Sequence, residues 1–235
     1  MRVAMHQPHY LPWLGVIDKL DRADLFVFVD HVQFERKGWQ NRNYVKTPQG
    51  GTLLTVPVAQ RSRDERIAEK TIDEARPWRK KHHRTIEQSY RTAPFWDEHG
   101  RTVLDLYARP WPSLAELAIA STLAVAAAFG VTVPWVRSSE LSGIGGAKTE
   151  MIASLCAAVG ASTYLCGSGA RAYLDEDLLL RRGVAVEWQG FVHPEYPQLH
   201  GGAFVPRLAA LDLLLNSGSD GVQLLRAAQG EMSTE

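Results

Sequence analysis

The chain has 235 residues, enough for one ordinary domain with an appendage and too few for two full-sized domains. Its 45% hydrophobic and 22% charged content is ordinary globular usage and excludes a disordered chain. Basic and acidic residues balance at 26 each, so no overall positive field draws the protein onto nucleic acid or an anionic membrane, and neither is expected as a partner.

Arg2 to His6 reads as a short strand, followed by a proline turn and an apolar pattern at Trp13, Leu14, Ile17 and Leu20 with helical spacing. Leu25 to Val29 is a continuous apolar run bounded by Asp24 and Asp30. Strand, helix and strand within about 30 residues predict a parallel βαβ unit whose strands are both buried. His31 to Gly51 turns polar and aromatic, a long connection of the kind that is functional or mobile. Leu53 to Val58 and Ile67 to Ile72 have strand character, separated by a charged hairpin-like loop. Trp78 to Tyr90, Phe95 to Tyr107 and Leu114 to Phe129 predict three helices. The weakly polar stretch from Leu114 to Val136 is interrupted by Glu116, Gly130 and Pro134, so it reads as a buried helix and a following strand rather than a membrane span.

After Gly130 the alternation resumes, with strands at Val133 to Arg137, Ser162 to Cys166 and Val184 to Trp188, and helices at Lys148 to Val159 and Asp175 to Arg182. Helices at Arg207 to Asn216 and near Val222 to Ala228 close the chain. The expected fold is α/β with a mainly parallel, Rossmann-like sheet and a central helical insertion or cap. Residues 1–235 are expected to form one domain, with the helical subdomain at about 76–130. Cys156 and Cys166 are too few for a disulfide framework, and the chain does not open with a signal-peptide pattern, so a cytoplasmic location is expected.

Four polar constellations follow predicted strands. In HQPHYLPWLG, residues 6–15, a strand meets a helix start, a position where ligands bind in open parallel sheets. His6, Gln7, Tyr10 and Trp13 are its candidates, against the alternative of a rigid proline turn that simply packs. In DHVQFERKGWQNRNYVK, residues 30–46, Asp30, Gln33, Asn41 and Arg42 offer an acid, two amides and a guanidinium suited to hydroxyl, amide and oxyanion recognition. Trp39 could stack on a ring there, and a solvated loop held by Asx turns is the competing interpretation.

In TYLCGSGARAYLDED, residues 163–177, a strand runs into Gly167, Ser168 and Gly169, where backbone can approach a ligand, with Tyr173 beyond. Neither a dinucleotide fingerprint nor a P-loop is present. Cys166 is more readily a small apolar residue than a nucleophile. In FVHPEYPQLHG, residues 191–201, His193, Glu195 and His200 lack the spacing of a helix-borne metal site, so no metal is expected and His193, Tyr196, Gln198 and His200 read as a polar rim. Ser138 and Ser139 end another strand. The basic run RKKHHR, residues 79–84, reads as a solvated helix face with Ile86 and Tyr90 turned to the core. In a parallel sheet, segments 6–13, 30–42, 166–173 and 193–200 are expected to converge on one cleft.

Taken in order, HQPHYLPWLG, ADLFVFVDHVQF, WQNRNYVKTPQG with LTVPV, WRKKHHRTIEQSY, VRSSEL, GASTYLCGSGARAYLDE and HPEYPQLHGGAFVPRLAALDLLLNSG resemble the WbqC-like protein family over about residues 3–218. The resemblance implies a bacterial protein of surface-polysaccharide, O-antigen or secondary-metabolite biosynthesis, with glycyl transfer to sugars suggested for one member. It also carries over Asp212 and Asn216 as matching polar positions. This sequence departs where relatives often have Asn at the position of His9 and Ser at that of Cys166. A weaker likeness, His6-Gln7-Pro8-His9 for a His-x-Gly-His motif, points to nucleotidylyltransferases.

The resemblance, together with the histidines and neutral polar residues at several strand ends, implies a transferase that moves an acyl or aminoacyl group onto an amino sugar or small amine. His6 and His200 are the candidate bases, Asp30 the third catalytic candidate and the remaining named residues substrate contacts. A small-molecule or sugar substrate is expected, with an acyl carrier or a nucleotide as candidate donor and no cofactor assigned. The alternatives are an ATP-dependent nucleotidylyltransferase-like activating enzyme and a non-enzymatic glycan-binding or assembly factor.

Overall fold

The computed structural model describes residues 1–62 and 64–230. Five strands form one parallel sheet: β1 (Arg2–His6), β2 (Leu25–Phe28), β5 (Trp135–Arg137), β6 (Thr163–Cys166) and β7 (Ala185–Trp188). Their spatial order is β5-β2-β1-β6-β7, and two further strands, β3 (Arg42–Thr47) and β4 (Gly50–Thr55), make a separate antiparallel hairpin. Eight α-helices complete the described residues: α1 (Leu14–Arg22), α2 (Trp78–Tyr90), α3 (Trp96–Leu104), α4 (Leu114–Ala128), α5 (Thr149–Val159), α6 (Glu176–Arg181), α7 (Leu211–Ser217) and α8 (Gly221–Gly230).

The near-continuous apolar composition of β1, β2 and β6 follows from helices covering both faces of the sheet. Ala4, Phe26, Phe28 and Leu165 pack on one face against Leu14, Ile17 and Leu20 of α1, Ile119 of α4 and Leu213 of α7. Val3, Met5, Val27, Tyr164 and Cys166 face the other way, against Ile152, Leu155 and Cys156 of α5 and Leu179 of α6. A further core gathers Val45 and Leu54 of the hairpin with Trp78, Ile86, Tyr90, Val103 and Leu114 of α2, α3 and the start of α4. Among the described residues no helix is long and apolar enough to cross a membrane, and both cysteines are free and buried.

The hairpin corrects two expectations. The residues from 42 to 47, assigned to a polar connection, are β3, and β4 begins at Gly50 rather than Leu53. Ile67–Glu69 is a 3-10 turn, not a strand; what remains of the expected pairing is an isolated bridge between Val58 and Ile72. Its sequence looked extended because Ile67 and Ile72 are both buried, yet Ile67 enters the hairpin core from the 3-10 turn and Ile72 from the isolated bridge. The basic run on α2 is also not wholly solvated: His82 is buried, with its Nδ1 2.9 Å from the Tyr10 hydroxyl.

Residues 9–13 join these cores. Leu11 is fully buried with φ +49°, a conformation unfavourable for a branched side chain, and its surroundings hold it there. Its N–H donates to Ser121 Oγ at 3.0 Å, and its carbonyl accepts from Asn43 Nδ2. Ser121→Ala should leave that buried N–H without an acceptor and lower stability by about 1–3 kcal/mol. Urea unfolding of the two proteins measures the difference.

Candidate functional site

The chain leaves β1 through α1 to reach β2 on one side, and returns after β5 to place β6 on the other. That reversal is the topological switch point at which doubly wound sheets open a crevice beyond the strand ends. His6 ends β1 there, and Gly167 follows β6. His6 donates from Nδ1 to the Gln7 carbonyl at 2.8 Å, which leaves the Nε2 lone pair free in the neutral ring. The His9 ring lies edge-on, 4.3 Å away between centroids. Gln7 Oε1 accepts from Gln40 Nε2 at 2.8 Å, and Gln40 Oε1 is buried without a hydrogen-bond partner.

Lys19 completes this group and was not legible in the sequence. The spacing of Leu14, Ile17 and Leu20 puts it off the apolar stripe of α1, where a solvated lysine is expected. Every residue of α1 from Leu14 to Leu20 is nevertheless buried, because the helix packs on the sheet and also against α4 and α8. Lys19 is 6% exposed and its Nζ donates to the Met5 carbonyl at 3.0 Å. A Cβ added at Gly167 would lie 3.3 Å from that Nζ, so the glycine leaves the ammonium its space. Asp18, beside it in sequence, accepts instead from Gln189 Nε2 at 2.7 Å and pairs with Arg22 at 3.4 Å.

Burial sets the charges of the group. It lowers Lys19 from 10.5 to about 8, with Cys166 and Asp18 opposing the shift. Burial, then the neighbouring His9 and Lys19, holds His6 well below 6.5; burial and Lys19 bring His9 to about 4. At neutral pH the site therefore contains two neutral imidazoles and one ammonium. Burial also raises the Cys166 thiol, which keeps it protonated and unreactive.

Asp30 belongs to a different knot. Its fully buried carboxylate accepts from Arg137 Nε at 2.7 Å, Ser138 Oγ at 3.2 Å, Ser139 N at 2.9 Å and Ser139 Oγ at 3.0 Å. Ser138 Oγ in turn accepts from Asp30 N at 2.9 Å and lies 2.6 Å from His31 Nδ1. These bonds tie the ends of β2 and β5 and occupy the polar atoms of Asp30 and Ser138.

The segment from 193 to 200 is held by a third network. Buried Asp212 accepts from Tyr90 Oη at 2.7 Å, Tyr196 Oη at 3.0 Å and Gln198 Nε2 at 3.1 Å. Lys46 Nζ donates to Gln198 Oε1 at 3.2 Å, and Asn216 Oδ1 accepts from Leu199 N at 3.1 Å. His200, at φ +67°, donates from Nε2 to the Ser89 carbonyl on α2 at 2.9 Å. His193 uses both nitrogens, donating from Nδ1 to the Pro194 carbonyl at 2.8 Å and accepting from Arg207 N at 3.1 Å.

Of the remaining sequence candidates, Tyr10 is fully buried with its hydroxyl between His82 and Tyr107, and Trp13 packs edge-on against Phe191 at 5.0 Å. Asn41 Nδ2 donates to the Val56 carbonyl at 2.8 Å while its Oδ1 is buried and unpartnered, as is Arg42 Nε. Gln33 is exposed and its Nε2 is 3.4 Å from Asp64 Oδ1. Ser168, Gly169 and Tyr173 are exposed beyond the β6 turn. His6, His9 and Gly167 thus lie near Lys19 and Gln7 is bonded to Gln40 beside them, whereas Asp30 with Ser138 and Ser139, and Tyr196 with Gln198, sit in their own networks. Among the described residues no cluster of three His, Cys, Asp or Glu side chains is placed to hold a metal ion. A cavity of about 330 Å³ lies elsewhere, lined by Phe34, Arg36, Gln60, Arg61, Ser62, Glu65 and Lys70; the Lys70–Glu65 pair at 2.6 Å lies on its wall.

Two substitutions separate structural from chemical roles. Asp30→Ala should cost about 3–5 kcal/mol in denaturant unfolding, because it strands the donors of a buried charge network. Lys19→Met should instead stabilise the protein at pH 7, by up to about 3 kcal/mol, the cost of holding a lysine at about 8 instead of 10.5. Between pH 8 and 10.5 the unfolded chain keeps the Lys19 proton that the native protein sheds, so wild-type stability rises and the difference between the two proteins should shrink.

A profile of the WbqC-like protein family matches residues 7–224. An uncharacterized protein of Mycobacterium tuberculosis (strain ATCC 25618 / H37Rv), Rv1507c, is 31% identical over 227 residues, covering 96% of this chain and 97% of its own. No solved structure matches the chain. The profile spans every strand but the first, and the chain belongs to the WbqC-like protein family.

Proposed function

We propose that the protein is a transferase that forms an amide or ester by moving an acyl or aminoacyl group, a glycyl group among them, onto an amino sugar or other small amine in surface-polysaccharide or secondary-metabolite biosynthesis. The observation that carries this reading is a neutral imidazole, His6, with a free Nε2 lone pair beside the buried ammonium of Lys19 at the sheet's switch point. His6 Nε2 takes the proton from the acceptor amine as its nitrogen attacks the acyl carbonyl. Lys19 and backbone N–H groups of the turn after Cys166 face the negative charge that develops on oxygen.

His200 also keeps one ring nitrogen, Nδ1, free, but its Nε2–H ties it to the Ser89 carbonyl on α2, away from the strand ends at the switch point. Asp30 acts through position, fixing the β2 and β5 ends that wall the crevice. A second reading, ATP-dependent activation by nucleotidyl transfer, draws on the same unpaired ammonium, and pyrophosphate release would support it.

The test is mass spectrometry of purified protein incubated with acyl and aminoacyl donors and amino-sugar acceptors. His6→Ala should lower turnover by about 10²–10⁴-fold, the usual loss of a general base. His200→Ala should change turnover per folded molecule by less than about tenfold. Absence of product with every donor class, or full activity of His6→Ala, would overturn the assignment.

A further inference from the structure

Three lysines among the described residues are buried, and they are paired very differently. Lys70 meets the Glu65 carboxylate at 2.6 Å. Lys46 donates to Gln198 Oε1 at 3.2 Å and to the Gly201 carbonyl at 3.0 Å, beside the Asp212 carboxylate network. Lys19 has one carbonyl, that of Met5, and none of the ion pairs of the described residues reaches it. Two of its three N–H bonds are thus unmatched inside the protein, although a buried ammonium is costly unless paired.

The nearest carboxylate in sequence, Asp18, is turned away by Gln189, which donates to it and to the Gly15 carbonyl, both at 2.7 Å. On the β6 side Nζ lies against Gly167, which lacks the side chain that would press on it, and the following Ser168 and Gly169 are exposed. The neighbouring imidazoles carry no charge to compete for an anion. A buried cation without an ion-pair partner, lying against a glycine whose following residues are exposed, is complementary to an oxyanion brought by a ligand.

Resting on the acyl-transfer reading, we propose that Lys19 Nζ receives the phosphate of the donor, so that the acyl group arrives as a phosphate mixed anhydride, an acyl phosphate or acyl adenylate, rather than as a thioester. In the step, the acceptor nitrogen forms the C–N bond while the C–O bond to phosphate breaks. The electron pair leaves on the phosphate oxygen, which Lys19 neutralises while keeping its own proton. His6 Nε2 removes the proton from the amine. A thioester donor would present the ammonium with the acyl oxyanion and a diffuse thiolate but with no phosphate to hold in the ground state.

The experiment is equilibrium binding of inorganic phosphate, AMP and acetate to the full chain by calorimetry, with wild type, Lys19→Met and Gly167→Ala. Phosphate and AMP should bind saturably to wild type and acetate much more weakly. Lys19→Met should lose at least about tenfold in phosphate affinity while remaining folded. Gly167→Ala keeps the charge but crowds Nζ, and should weaken phosphate binding as well, which preserves the test if Lys19→Met fails to fold. No phosphate or AMP binding to wild type, equal acetate binding, or unchanged affinity in both variants would overturn the proposal. Transfer from a thioester without phosphate binding would retain the transferase and remove the phosphate donor. Lys19-dependent phosphate binding without any transfer product would do the reverse.

Discussion

The buried backbone of residues 9–13 ties the sheet, the hairpin and the helices together through its own hydrogen bonds. Thr122 Oγ1 reaches the His9 carbonyl at 3.4 Å, Tyr10 N donates to the Gln40 carbonyl at 3.1 Å, and Leu11 is pinned between Ser121 and Asn43. The Pro12 carbonyl then accepts from Ala210 N at 2.7 Å. One short turn therefore bonds to α4, the approach to the hairpin, the hairpin itself and the start of α7. A buried turn has no water to satisfy its peptide groups, so these elements must supply the partners. The same bonds fix where β1 ends and where α1 begins, and so bring Lys19 near enough to His6 for its charge to lower the imidazole.

Buried charge is treated in two ways. Asp30 and Asp212 are surrounded by donors, and such saturated networks hold a unique arrangement of strand ends and loop. Burial raises the Asp212 carboxyl, while Tyr90, Tyr196, Lys46 and Gln198 pull it back down. Lys19 is left with a single carbonyl. Stability alone would favour an apolar side chain there, as it does at many sites kept under strain for function.

The sheet was legible because its strands are buried on both faces and so appear as short apolar runs such as LFVF and TYLC. The helices were legible from their spacing, to within a few residues at their ends; α7, whose approach runs irregularly through Arg207 at φ +60°, begins later than its sequence suggests. β3 was hidden because its buried positions include Asn43 and Lys46, polar residues whose partners, the Leu11 carbonyl and Gln198, are distant in sequence. Local alternation carries no trace of such pairing. His82 was hidden for the same reason, since its hydroxyl partner lies 72 residues away on Tyr10.

Periodicity and strand-end position are local properties, so the α/β alternation, the parallel sheet and the position of His6, Asp30, Ser138 and Gly167 at strand ends can be read along the chain. Which of these polar residues are saturated and which are free depends on partners brought in by the fold. Asp30, Ser138, Tyr196 and Gln198 are absorbed into networks, whereas His6 keeps an open nitrogen. The fold also decides that Lys19, on what periodicity marks as the polar side of a helix, becomes a buried cation. That outcome depends on a second helical layer over α1 and on the strand order that brings β6 beside β1, neither of which is written in the neighbouring residues.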